Sequence, residues 1–428
     1  MKLSASTNIR RKVLAGLTAI GLAASLTVAH PGGAQSAPTA PTVRRFFAPT
    51  MSWNRPVSEL GTTTRFPGYA ERMFKYAGAA GWDGSNLSVG YDPTTRGNWS
   101  LAFRDYSVPI YDAATATTKV RAFKSRDAQA LGLPWNAMPI GASMPWNPNW
   151  VLGAGNDGIM AVVNYQTGEA WEVYIPVGSR TPFDCFDMWG PNGQAGYDMT
   201  SASHKCFGSV NHYMDIYNAS TTATVRGMGI NKLALLTRAD EVASGKIEHA
   251  LELTNFNTMF GAVCAGNSAS AVGAGSTCGF SLAPATRVEH PVNPHSGTCG
   301  GTEIANTVAN RERTVPAGMR FRLNISDADI TTWLDSRKFT GPLRDTARIF
   351  AVALRDYGFI AGAETGCVQP LIETDGLQNP ATKATWLKLG ITDTGIDWAT
   401  KDGKPDFPSS DILTGLITQA RLEVVNPA

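Results

Sequence analysis

The sequence predicts a mainly β protein: a large β-sandwich of jelly-roll type with a few short peripheral helices. Charged residues are sparse at 17%, whereas Gly, Ser, Thr, Ala and Asn abound, which suits many turns between strands better than a helical bundle. From residue 101 onward, short stretches with strand-like composition recur between turn-forming clusters. The chain also opens with a stretch that reads as an export leader, and a β-rich fold with many turns fits an extracellular setting.

That leader spans residues 1–36. Lys2, Arg10, Arg11 and Lys12 precede an uncharged run over 13–29, which ends in small residues around Ala29 and Ala34. A charged start, an apolar core and a small-residue end are the three parts of a secretory signal peptide. The run is shorter than the roughly 20 apolar residues a membrane-crossing helix needs. Cleavage after Ala29, Ala34 or Ala37 is equally compatible, and the export route stays open. Residues 37–50 read as a Pro/Ala/Thr-rich linker, and residues 51–428 as one large sandwich domain whose C-terminal part carries the helices. No later run is long enough to cross a membrane. Removing the leader's four cations from 37 basic residues leaves 33 against 35 acidic, a formal charge of −2. Such a balance argues against a nucleic-acid partner, which selects a basic face.

An even cysteine count in an oxidising compartment favours disulfides. Proximity along the chain suggests Cys185–Cys206, Cys264–Cys278 and Cys299–Cys367. There is no Cys-x-x-Cys, and neither a metal nor a cofactor is expected. Strands are expected at 101–112, 119–123, 159–164, 169–175, 210–217, 247–256, 319–325, 358–363 and 420–425. Tyr165-Gln166-Thr167-Gly168 makes a tight hairpin turn with Gly168 at positive φ. A short helix is expected over 69–77, with Ala70, Met73, Phe74 and Ala77 on one side. The clearest helix spans 342–356, with Leu343, Ala347, Phe350, Ala351 and Leu354 on one face, Pro342 at its start and Gly358 beyond its end. Further helices are expected at 380–389 and, as a single turn, at 238–244.

Zinc-protease, nucleophile-elbow and phosphate-loop motifs are absent. Gly153-Ala154-Gly155-Asn156-Asp157-Gly158 spells a dinucleotide fingerprint but leads into a strand rather than a helix, so it reads as a turn. Asp157 in that turn is a candidate polar contact to substrate. Loop tryptophans beside Asn and Pro, notably Trp53, Trp146 and Trp150, suit a sugar platform, where the indole stacks on C–H faces and amides bond hydroxyls; alternatively they plug the ends of the sandwich. Tyr213, Asp215 and Tyr217 share one face of a strand. Glu172 lies opposite Trp171 and Val173, and could pair with Asp215 as the two carboxyl groups of a glycosidase. His249 alternates with Ile247, Leu251 and Leu253. It is either buried on backbone or set to orient a catalytic carboxylate.

Two segments resemble a signature of secreted, largely actinobacterial proteins that are poorly characterised. One is Glu241-Val242, followed by Ile247-Glu248-His249-Ala250-Leu251; the other is Pro316-Ala317-Gly318-Met319-Arg320-Phe321-Arg322-Leu323. The resemblance implies a secreted, sandwich-like β fold and no established catalytic residues. Where that pattern has an acidic residue near Asn164, this chain has an amide.

Together these features predict a secreted carbohydrate-active enzyme, a glycoside hydrolase on an extracellular polysaccharide. Glu172 and Asp215 would act as the pair and His249 as an aid. Trp53, Trp146, Trp150, Asp157, Tyr213, Tyr217 and Arg320 would hold the sugar. A polysaccharide lyase using His249, Tyr213 and Arg320, or a non-catalytic glycan-binding or cell-surface protein, are the alternatives.

Overall fold

The computed structural model describes residues 43–78, 99–104, 106–121, 143–154, 158–174, 187–188, 209–220, 228–267, 278–289, 307–365, 370–392 and 411–427. Their strands, numbered in chain order, form three sheets. The largest runs β1 (Ser100–Ala102), β12 (Leu371–Glu373), β9 (Leu251–Thr254), β11 (Phe359–Ala361), β10 (Arg320–Leu323) and β13 (Leu422–Val424) from edge to edge. A second has the order β2 (Ile110–Asp112), β5 (Ile159–Val163), β6 (Ala170–Tyr174) and β8 (Ser209–Tyr213). The third sets β3 (Thr118–Arg121) between β4 (Ser143–Trp146) and β7 (Asp187–Met188). The helices are α1 (Val57–Leu60), α2 (Tyr69–Tyr76), α3 (Lys232–Leu235), α4 (Ala239–Ala243), α5 (Val308–Arg311), α6 (Asp327–Arg337), α7 (Gly341–Asp356) and α8 (Pro380–Lys388).

Strand alternation distributes the core into layers. One face of the six-stranded sheet offers Leu101, Leu253, Phe321, Phe359 and Ile372 to Met73 of α2, Trp333 of α6, Phe350 and Leu354 of α7 and Trp386 of α8. On the opposite face, Ile360 packs with Ile110, Ala161, Val163 and Ala170 of the four-stranded sheet, and with Leu233 and Leu235 of α3. The far side of the four-stranded sheet, carrying Tyr111, Met160, Val162, Trp171 and Val173, meets Val120, Met144 and Trp146 of the third sheet. The four-stranded sheet is therefore covered on both faces, and each large apolar side chain buried there contributes about 1.5–3 kcal/mol. From Val43 the chain already belongs to this unit: Phe46 and Phe47 are buried beside Trp53.

A jelly-roll sandwich is thus not what the chain forms. The described residues are mixed α/β, with 30% helix and 22% strand in several small sheets. Three strand pairs, β1/β12, β2/β5 and β9/β11, are parallel, whereas a jelly roll is antiparallel. Two local causes explain the misreading. The expected strand over 101–112 divides between two sheets: Tyr106 turns left-handed at φ 60°, and Pro109 has no N–H to give a ladder. Helix α6 escaped notice, although Ser326 and Asp329 form its capping box and Ile330, Trp333 and Leu334 are its buried face. By contrast α7 presents the expected Ala347, Phe350, Ala351 and Leu354 to the core, and β5, β6, α2 and α8 lie where expected.

Cys264 and Cys278 are disulfide-bonded as expected; Cys185, Cys206, Cys299 and Cys367 lie outside the described residues, as does residue 157. Among the described residues no helix is long and apolar enough to cross a membrane. Gly318, inside the second signature segment, turns at φ +87°, and a Cβ there would overlap the Leu282 carbonyl. Gly318→Ala is expected to destabilise the fold by at least the ~1–3 kcal/mol of a left-handed non-glycine residue, read as a lowered urea midpoint.

Candidate functional site

Most of the expected site residues are inside the protein. Glu172 is fully buried on β6, because the sheet face opposite Trp171 is also covered. Its carboxylate accepts from Asn231 Nδ2 at 2.7 Å and from the Lys232 amide at 3.2 Å. Asp215 is not on a strand, since β8 ends at Tyr213. It closes a turn: Oδ1 accepts from the Tyr217 and Asn218 amides at 2.9 and 3.3 Å, and Oδ2 from Asn218 Nδ2 at 2.6 Å. These bonds, the Asn218 side chain first, hold its carboxyl below the usual carboxylate range. Glu172 and Asp215 therefore occupy different settings, one in the intersheet core and the other against the Gly168 hairpin turn, where a Cβ would press on Asp215 Oδ1.

The aromatics mostly plug. Trp53 meets Phe47 edge-on at 5.3 Å, Trp150 stacks on Tyr111 at 5.0 Å, and Trp146 abuts Trp150 at 5.8 Å. All three tryptophans are buried. The Tyr213 hydroxyl accepts from Asn231 Nδ2 in the core, and Tyr217 donates to the Tyr165 carbonyl at 3.0 Å beneath Arg44. Arg320 donates to three carbonyls, those of Tyr357, Ser52 and Arg55, at 2.7–2.8 Å. His249 is buried, but it lies in a bend ahead of β9, which begins only at Leu251, and not within the expected strand over 247–256. Its Nδ1 meets the Ala250 carbonyl at 2.8 Å and its Nε2 meets Glu241 at 3.3 Å. Burial opposes ionisation of Glu241, but Arg238 and then His249 hold its carboxyl below the usual range. Glu241 and His249 of the first signature segment thus form one buried polar node with Arg238.

A groove does exist, at the end of the four-stranded sheet where β2 and β5 finish and β6 begins. It has a volume of about 420 Å³ and is lined by Asp112, Lys119, Asn164, Tyr165, Glu169 and Trp171, among others. That size falls within the usual range of small-ligand sites, about 300–1,000 Å³. The hairpin places these groups: Asn164 Oδ1 accepts the Gln166 and Thr167 amides at 3.0 and 3.2 Å, with Gly168 at φ +81° as expected. Glu169 Oε1 pairs with His212 Nε2 at 2.8 Å, and the His212 ring stacks on Trp171 at 5.1 Å. Asp112 ends β2 and Glu169 immediately precedes β6, the two strands that flank β5. Another surface groove contains two arginines, but these are already matched: Arg322 by Glu423, and Arg355 by Asp356 and Asp327.

Sequence reasoning named the Tyr165–Gly168 turn without seeing that its flanks, Asn164 and Glu169, line a groove. The signal was there, in a carboxylate and two amides around one hairpin tip next to a tryptophan. Compared with known protein families, with curated proteins and with solved structures, the chain matches none.

Proposed function

We propose that the groove at the tip of the β5–β6 hairpin binds a glycan, which the leader reading would place outside the cell. The observation that supports this is the joint lining: Tyr165 offers exposed ring surface above the buried Trp171, with amides from Asn164 and Gln166 and carboxylates from Asp112 and Glu169, in one cleft. Sugars need that mixture, an apolar face for C–H groups and fixed polar groups for hydroxyls.

Hydrolysis is the second reading. It rests on the presence of two carboxylates, Asp112 and Glu169, in one cleft, since glycoside hydrolysis uses a pair of carboxyl groups flanking the bond. The lyase expected on Arg320 finds no support, because that guanidinium is spent on three backbone carbonyls.

Incubation of the purified protein with a polysaccharide panel separates these readings. Retention without new reducing ends supports binding, new reducing ends alone support hydrolysis, and reducing ends with unsaturated-uronate absorbance support elimination. Tyr165, 38% exposed at the rim, is the cleanest probe. Tyr165→Ala is expected to weaken retention by up to about tenfold, since an aromatic contact contributes about 0.5–1.5 kcal/mol. Unchanged retention in Tyr165→Ala and Glu169→Gln alike would remove the groove from consideration.

A further inference from the structure

Lys232 has no exposed surface and is among the largest fully buried side chains. Lysine is almost never fully buried unless paired, and here two carboxylates surround it. Its Nζ contacts Glu373 Oε2 and lies 3.3 Å from Glu252 Oε1. Glu252 and Glu373, both buried, sit on adjacent antiparallel strands of the six-stranded sheet, where the register that sets Ile372 beside Leu253 carries them side by side. From the facing sheet, Glu172 grips the Lys232 backbone amide and Asn231. Gly362 leaves the space that Glu252 occupies, since a Cβ there would lie 2.9 Å from its Cγ and Oε1. Around the cluster stand Ile230, Leu233, Leu235 and Ile360 of the intersheet core.

We propose that Lys232 and Glu373 become joined by an amide bond, formed by the folded protein itself with Glu252 as the proton carrier. Burial favours the neutral forms of amines and carboxylic acids over their ions, and these are the two reactants. The neutral Nζ attacks Cδ of the protonated Glu373 carboxyl, forming the N–C bond. Glu252 takes the proton from nitrogen and returns it to the departing hydroxyl, so the C–O bond breaks and one water leaves. No oxidant, reductant or further reactant is consumed. In water this condensation is unfavourable between separate molecules, but groups fixed in contact react with effective molarities of about 10⁵–10⁸ M. The product also removes one positive and one negative charge from a core that otherwise holds three carboxylates around one ammonium.

The test is a peptide map of the full, folded wild-type protein, denatured and reduced before digestion. The expected result is a branched peptide joining the Lys232 and Glu373 segments, lighter than their sum by one water and confirmed by fragmentation. In Lys232→Arg the branch should vanish and linear peptides appear, and in Glu252→Gln linear peptides should predominate. Wild-type protein yielding only separate linear peptides over both residues would overturn the proposal and leave an ordinary ion cluster. So would loss of water persisting in Lys232→Arg. The wild-type map decides even if a variant fails to fold.

Discussion

Replacing Lys232 by methionine is expected to lower the unfolding free energy by about 3–5 kcal/mol at neutral pH, because Glu373 is then left as a buried carboxyl with no lysine nitrogen to hold it. The effect should be large because Glu172, Glu252 and Glu373 are all buried around that position. Urea titration gives the measurement, with the midpoint moving and the slope held. The companion Lys232→Met/Glu252→Gln/Glu373→Gln should recover much of the loss, since buried ion clusters replaced by neutral groups of similar size are often tolerated. A single variant as stable as the wild type would show that the lysine carries no structural weight.

Asp375→Asn should act in the opposite direction. Burial pushes the Asp375 carboxyl up to about 8, against the Ala239 amide and the Trp386 indole that donate to it. A carboxyl with a raised folded-state value stabilises most below its unfolded value of about 4, and that stability is lost as pH rises through the folded value. The wild type should therefore lose stability between roughly pH 4 and 8 through this group. The asparagine variant, which keeps an oxygen for Trp386 Nε1, should show a flatter profile there. At pH 7 it should be more stable by as much as about 4 kcal/mol. Melting temperatures against pH for the two proteins check this, and parallel curves would contradict it.

Local elements were legible where one physical signal dominated. Helix α7 announced itself through its apolar face and bounding proline and glycine, and the β5–β6 hairpin through Gly168. Architecture was not legible, because it depends on pairings between short strands far apart in sequence. Strand β12 is three residues long, yet it supplies Glu373 and leads to Asp375. The carboxylate pairing of Glu172 with Asp215 came from assuming a two-sheet sandwich with one open face. In the fold the face of β6 that carries Glu172 is closed by α3 and the six-stranded sheet, and a third sheet closes the Trp171 and Val173 face as well. The signature residues were read as marks of kinship, whereas in the fold they do structural work: Glu241 meets His249, Gly318 lets Leu282 approach, and Arg320 pins three carbonyls. A lysine inside the apolar run from Gly229 to Leu236 was the visible clue to the buried cluster, since nothing apolar explains it.

The order of strands in the six-stranded sheet has a kinetic consequence. Strand β1, near residue 100, pairs with β12 beyond residue 370, and β13, near residue 423, pairs with β10 while Val425 bridges back to Thr62. Strand β1 and the Thr62 bridge have no partners until nearly the whole chain is present, and loop-closure entropy must be met before these distant pairings give anything back. Refolding should therefore be slow, with the hairpin sheet around β5 and β6 acquiring protection from hydrogen exchange before the sheet that ties the two ends of the chain together.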